Sequence, residues 1–360
     1  MRVALLLLGF GHVGRRFVHL LEEQRAVLDA AGVTPVVVGI ATGRHGSVCL
    51  DAGLDAARLA REVAGGGAVG PTPSAHTADQ LIARLAALDA EVRVVVETTP
   101  LVIESGEPAI SHVRQALRAG AHVVSANKGP VAHAYDDLAA EAQRAGREFL
   151  FEGAVMDGIP VFNLVRETMP GVTVLGFRGV VNSTTNHILT AMEQGEPFAS
   201  ALARMQAAGV AEADPSLDVD GWDAAAKVAA MANVWMGAGI TPQAVARTGI
   251  GPADAGWARE AVARGHHLKL VAYGQRRREA FSTKKPPDVF VTVGLEELEA
   301  DDPLAQLDGQ ANALELHTDL LGRVVITQRD GGLEKTAYAL FSDLMRIVGQ
   351  ERKDVGRLFR

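Results

Sequence analysis

The 360-residue chain holds a single cysteine, Cys49. No disulfide framework can form within it, and no Cys-rich zinc site can be built. Positive charge is in deficit, with 35 Lys and Arg against 43 Asp and Glu and a net charge of −8. No broad basic face is expected, which argues against a nucleic-acid partner. A long apolar run is missing as well. The stretch 3–8 falls far short of the ~20 residues that span a bilayer. It leads straight into glycines, without the small-residue cleavage site of a signal peptide. It reads as a buried strand, so no membrane partner is expected, and a reducing cytoplasm fits the cysteine count. What remains is an ordinary globular composition, 48% hydrophobic and 22% charged, long enough for two domains.

The first third alternates apolar runs at 2–8, 34–40, 92–98 and 122–125 with helix-spaced stretches at 13–31, 77–88 and 108–119. Such alternation predicts a parallel sheet covered on both faces. A strand over 172–182 follows, and helices dominate 184–264. Further strands at 268–274, 288–294, 313–317 and 324–328 carry hairpin-like gaps, which predicts a mixed or antiparallel sheet. A last amphipathic helix covers 333–348. The basic stretch 275–287 reads as a solvated loop.

Four motifs can carry chemistry. Gly9-Phe10-Gly11-His12-Val13-Gly14 closes a strand and opens a helix. The first glycine permits the turn, the second lets backbone approach a pyrophosphate, and the third allows close packing. The helix N-terminus adds partial positive charge. Ser125-Ala126-Asn127-Lys128 ends the fourth strand, and ligands of open α/β sheets sit at such ends. Glu212, Asp214, Asp218, Asp220 and Asp223 crowd the stretch before Lys227, and Asp223 and Lys227 share a helix face four residues apart. A lysine among carboxylates is a proton donor in waiting. The spacing rules out an EF-hand calcium loop. Finally, Asn182-Ser183-Thr184-Thr185-Asn186 ends a strand and starts a helix, with Ser183 and Thr184 as natural N-caps. The scattered histidines form no zinc site.

Taken together these pieces resemble homoserine dehydrogenase. The resemblance covers nearly the whole chain and is most specific over Glu212–Lys227. It implies NAD(P)-dependent interconversion of L-homoserine and L-aspartate 4-semialdehyde, in threonine and methionine biosynthesis. Its implied architecture is a Rossmann-type doubly wound parallel sheet over 1–150, closed by the C-terminal helix 333–360. An α+β substrate-binding and dimerisation domain would cover 151–332. By that likeness Lys227 is the acid/base, with Lys128 beside nicotinamide and substrate. Glu212, Asp218, Asp223 and Thr184 would bind substrate. Thr98, Ser125, Asn127 and Gly332 would join the glycine motif at the cofactor. The segment of Glu152, Val155, Asp157 and Ile159 would hold a monovalent cation, Na+ or K+, through backbone oxygens. Asp157 departs from the family, which usually has a small residue there. The chain stops soon after Val348, which implies a short form without an amino-acid-sensing domain. A homodimer with a small-molecule substrate is expected.

The residues themselves speak to the cofactor. NAD selection usually relies on an acid at the end of the second strand. Here Ala41-Thr42-Gly43-Arg44-His45-Gly46-Ser47 follows, and no acid appears before Asp51. Arg44 offers a planar fork to a 2′-phosphate, so NADP(H) is the expected preference, with NAD(H) second. Two rival readings stay open at this point: a dehydrogenase of another small amino or hydroxy acid, and a non-catalytic dinucleotide-binding regulator.

Overall fold

Six strands of the first unit line up as one sheet: β1 (Arg2–Leu8), β2 (Thr34–Ala41), β3 (Ser47–Cys49), β4 (Val92–Glu97), β5 (His122–Ser125) and β6 (Phe149–Leu150). They come from a computed structural model that describes residues 1–71, 74–207, 214–277 and 288–352. The order is β3-β2-β1-β4-β5-β6, parallel throughout except for β3, which returns antiparallel along β2. This is the strand order of doubly wound dinucleotide-binding sheets. Val3 to Leu8 are at most 1% exposed, because helices cover both faces of a parallel sheet. Helix His12–Glu23 buries Phe17, Val18 and Leu21. The final helix, Leu333–Glu351, buries Leu340, Leu344 and Ile347 in the same core.

Local sequence explains where these elements stop. The stretch 13–31 is not one helix but two, His12–Glu23 and Arg25–Ala30, divided at Gln24. Helix Ala78–Ala87 opens on a reciprocal capping box between Thr77 and Gln80. A helix not anticipated, Ala56–Ala64, starts at Asp55, whose carboxylate accepts the Arg58 N–H at 2.9 Å.

By contacts the chain divides into two units. The first is Met1–Pro130, Asp136–Phe162 and the chain from Leu333; the second is Val131–Tyr135 and Asn163–Gly332. The second has its own six-stranded sheet, built from β7 (Val174–Val180), β8 (Ala246–Arg247), β9 (His266–Arg276), β10 (Val289–Glu299), β11 (Asn312–Thr318) and β12 (Gly322–Gln328). Its order is β12-β11-β7-β9-β10-β8, antiparallel except for the short β8–β10 pair. Helix Trp222–Met236 is buried along nearly its whole length, as its run of Ala, Val and Met requires. Arg276 is not in a solvated loop: it ends β9, and its guanidinium donates to the carbonyls of Val174 and Trp235. Residues 278–287 of that basic stretch lie outside the described residues. Among the described residues no helix is long and apolar enough to cross a membrane.

His122, at the start of β5, is 4% exposed. Its Nδ1 accepts the Glu148 N–H at 3.0 Å, and its Nε2 lies 3.1 Å from a Glu351 carboxylate oxygen. Burial, and then Arg147, push its pKa down to about 4, against the pull of Glu351. The unfolded chain therefore takes up a proton at a pH where the folded chain does not. The stabilisation is complete above the ordinary value of 6.5 and is lost as pH falls towards 4. The unfolding free energy of wild type, from urea melts, should fall across that window by roughly 3 kcal/mol from this residue. In His122→Asn, which keeps an acceptor for Glu148, the fall should be shallower. Parallel profiles for the two proteins would remove His122 as the cause.

Candidate active site

In the first unit, the carboxyl ends of three neighbouring strands converge. Gly9 follows β1 with φ +92°, and a Cβ there would lie 2.5 Å from the Thr98 carbonyl carbon and oxygen. Thr98 closes the contact by donating its hydroxyl to the Gly9 carbonyl at 3.1 Å. Gly11, the N-cap of helix His12–Glu23, has no side chain to cap the helix, and a Cβ on it would meet nothing within 4 Å. The helix thus starts without a side-chain cap, and the space beside the second glycine is open, as the approach of a pyrophosphate to such a turn requires. Phe10 is 2% exposed and belongs to the core, so it offers the site backbone only. His12 is exposed, Val13 half-buried and Gly14 buried against the Gly9 carbonyl and the Thr98 hydroxyl.

Ser125 ends β5 beside Glu97 of β4. Its hydroxyl accepts from the Asn127 N–H at 3.1 Å. Asn127 spends its amide on the protein itself, donating to Thr99 and Pro100 and accepting from Gly129. Lys128 stands directly before helix Gly129–Ala145. Arg44 is exposed in the turn after β2, where the Thr42 hydroxyl donates to Gly46 and accepts from His45. Arg44 makes no hydrogen bond among the described residues.

The second unit carries the acidic constellation. Lys227 Nζ lies 2.9 Å from Asp223 Oδ2 and donates to the Val181 carbonyl at 2.5 Å. Asn182 Nδ2 donates to both Asp218, at 2.8 Å, and Asp223, at 2.9 Å. Burial first, and the neighbouring Asp223 second, push the Asp218 carboxyl above its ordinary range; Asn182, Lys227 and Thr184 oppose the shift. Helix Ser183–Glu193 is capped by Asn182, whose Oδ1 accepts the Thr185 N–H at 2.9 Å. Ser183 and Thr184 are therefore inside the first turn rather than capping it. Their hydroxyls are turned to other work, Ser183 accepting from Asn312 and Thr184 bonding to Asp218. Asn182 is the residue sequence reasoning undervalued. Its preference for N-caps was the available signal; its bridge to two carboxylates was not visible.

Glu212 lies outside the described residues. Gly332 precedes the final helix with φ +143°. In the cation segment, Glu152 and Asp157 are tied to the protein: the Glu152 carboxylate accepts the Phe162 N–H at 2.9 Å, and Asp157 accepts from Thr336 at 3.4 Å. Ile159 O accepts the Val161 N–H. Among the described residues no group of three or more His, Cys, Asp or Glu could hold a metal, but a site of backbone oxygens needs none.

Comparison with known proteins decides the family. The profile described as "Homoserine dehydrogenase" matches residues 160–345, and that of "Homoserine dehydrogenase, NAD binding domain" matches 9–152. The chain belongs to the homoserine dehydrogenase family. It is 36% identical to the NAD(+)-dependent homoserine dehydrogenase of Pseudomonas canavaninivorans over 95% of both chains. It is 33% identical to the homoserine dehydrogenase of Methanocaldococcus jannaschii over 97% of this chain and 99% of that one. Among solved structures, a hyperthermophilic archaeal homoserine dehydrogenase in complex with NADPH superposes with a TM-score of 0.75 at 27% identity, covering 97% of this chain and 98% of that one. As a member of the family the chain is an NAD(P)-dependent oxidoreductase that interconverts L-homoserine and L-aspartate 4-semialdehyde, on the route to threonine and methionine. The two rival readings fall away with that membership.

Proposed function

We propose that Lys227 is the acid and base of this reaction, and the observation that carries the reading is its pairing with Asp223 at 2.9 Å. When bound, the nicotinamide gives a hydride to the semialdehyde carbonyl carbon or takes one back from homoserine. The protein's own task is to hold the substrate and move one proton. In reduction the Lys227 ammonium donates to the nascent alkoxide; in oxidation the amine removes the hydroxyl proton. Asp223 keeps Lys227 oriented, and Asn182 bridges Asp223 and Asp218, donating to both. Glu212, Asp218 and Asp223 take the substrate ammonium as acceptors, with Thr184 beside them. Lys128 serves the nicotinamide end. The glycine motif, Thr98, Ser125, Asn127 and Gly332 hold the dinucleotide, with Asn127 acting through its turn.

The first unit is on this reading the dinucleotide domain, closed by the final helix, and the second the substrate and dimerisation domain. Leu320 and Leu321, 69% and 53% exposed in the turn before the edge strand β12, support a homodimer. By the family likeness the backbone oxygens of Glu152, Val155 and Ile159 would hold a monovalent cation, with the Asp157 carboxylate nearby in sequence.

NADP(H) is the preferred cofactor, because no acid closes β2, which ends at Ala41, and Arg44 stands exposed in the turn that follows. Oxidation of L-homoserine, followed by the absorbance of reduced dinucleotide, tests both readings. Wild type should show a higher kcat/KM with NADP+ than with NAD+. In Arg44→Ala that ratio should drop about tenfold, the worth of one charge-assisted phosphate contact. A wild-type preference for NAD+, or a ratio untouched by the substitution, removes Arg44 from the cofactor site. Failure to oxidise homoserine with either dinucleotide overturns the assignment of the whole site.

A further inference from the structure

Glu97 is the last residue of β4 and is fully buried. A carboxylate out of water must be paired or hydrogen-bonded, and an apolar residue would finish this strand at no such cost. Both of its oxygens are engaged. Oε1 accepts the Thr99 N–H at 2.7 Å and also the Thr99 hydroxyl; Oε2 faces His112 Nδ1 at 2.7 Å. A carboxylate takes three donors at once without choosing between them, whereas an amide offers only one acceptor atom.

Thr99 passes the constraint on. Asn127 Nδ2 donates to the Thr99 carbonyl at 3.0 Å, to its hydroxyl at 3.3 Å and to the Pro100 carbonyl at 3.4 Å. Asn127 Oδ1 accepts the Gly129 N–H at 2.8 Å. The Glu97 carbonyl accepts the Ala126 N–H at 3.0 Å. Asn127, on one side of Lys128, is thus fastened to a turn that Glu97 fixes, and Gly129, on the other side, is fastened to Asn127.

We propose that Glu97 is a positioning residue for the reaction: through Thr99 and Asn127 it sets the turn that presents Lys128. The proposal rests on the reading of Lys128 as part of the catalytic site. A double-mutant cycle of Glu97→Gln and Lys128→Ala tests it, read by kcat and by the dinucleotide dissociation constant. Lys128→Ala should lower kcat at least tenfold. Glu97→Gln should lower kcat about tenfold, with a smaller loss of dinucleotide affinity, since Asn127 hangs on the same turn. In the Lys128→Ala background the same Glu97 substitution should then cost less than about twofold, because residues that act as a unit are not additive. Should Glu97→Gln fail to fold, Thr99→Val, nearly the same shape but without the hydroxyl, runs the same cycle with the same expectation. An equal loss in both backgrounds, or a wild-type kcat for Glu97→Gln, overturns the positioning role while leaving Lys128 in place. Normal turnover by Lys128→Ala alone overturns the reading of Lys128, and the proposal with it.

Discussion

Lys227→Ala should lower kcat for homoserine oxidation by about 10²–10⁴-fold, the usual loss when a general acid–base group is removed, while the dinucleotide dissociation constant stays unchanged. The split follows from where the lysine sits. Its ammonium is bound to Asp223 and to the Val181 carbonyl, all within the second unit. Removal also strands the carboxylates of Asp223 and Asp218, so some stability is lost with the proton donor. Lys227→Arg separates the two effects. Guanidinium keeps the positive charge beside the carboxylates but does not give up its proton. The arginine variant should therefore melt close to wild type and still turn over slowly. Near-normal kcat in either variant would sink the assignment and leave Lys128 as the acid/base.

The two glycines of the N-terminal turn should fail in opposite ways. Gly9→Ala places a Cβ 2.5 Å from the Thr98 backbone, at φ +92°. Neither the strand end nor the turn can give way cheaply, so Tm should fall by several degrees, in keeping with the ~1–3 kcal/mol such backbone strain costs. Gly11→Ala meets nothing within 4 Å and has an ordinary φ of −74°. Its Tm should match wild type, but its methyl would occupy the space in front of the helix N-terminus. Dinucleotide affinity should drop at least about tenfold, or ~1.4 kcal/mol. Calorimetry and a fluorescence titration with NADPH separate the two. Wild-type affinity in Gly11→Ala would mean that the pyrophosphate does not approach this backbone.

Much of the first sheet was legible because its strands are unbroken apolar runs closed by Gly, Thr or Pro. β3 escaped because it is three residues long and lies at the antiparallel edge, where burial is partial. Helix Ala56–Ala64 did have readable signals, an Asp N-cap and apolar residues at helical spacing. The Asp223–Lys227 pair was legible from helical periodicity alone, since four residues bring side chains onto one face. The network around Glu97 was not. A glutamate ending an apolar strand gives no hint that its partner is His112, on a helix fifteen residues further on. Likewise the cap of helix Ser183–Glu193 was displaced by one residue, because Asn182, Ser183 and Thr184 are all good caps and only the fold chooses among them.

The helix Leu333–Glu351 has a consequence for how the molecule is made. It supplies Leu340, Leu344, Ile347 and Val348 to the core that Val3, Leu5 and Phe17 begin. All of Asn163–Gly332 is synthesised between those two contributions. The first unit is therefore written in the message first and finished last. On the ribosome its nascent sheet must wait with part of one face uncovered, while the second unit, nearly continuous in sequence, is free to fold ahead of it. Domains that emerge from the ribosome usually fold from the N-terminus onward; in this chain the last helix of the first unit's core arrives only after the second unit has been made, and the patch it leaves uncovered is the surface a chaperone would find.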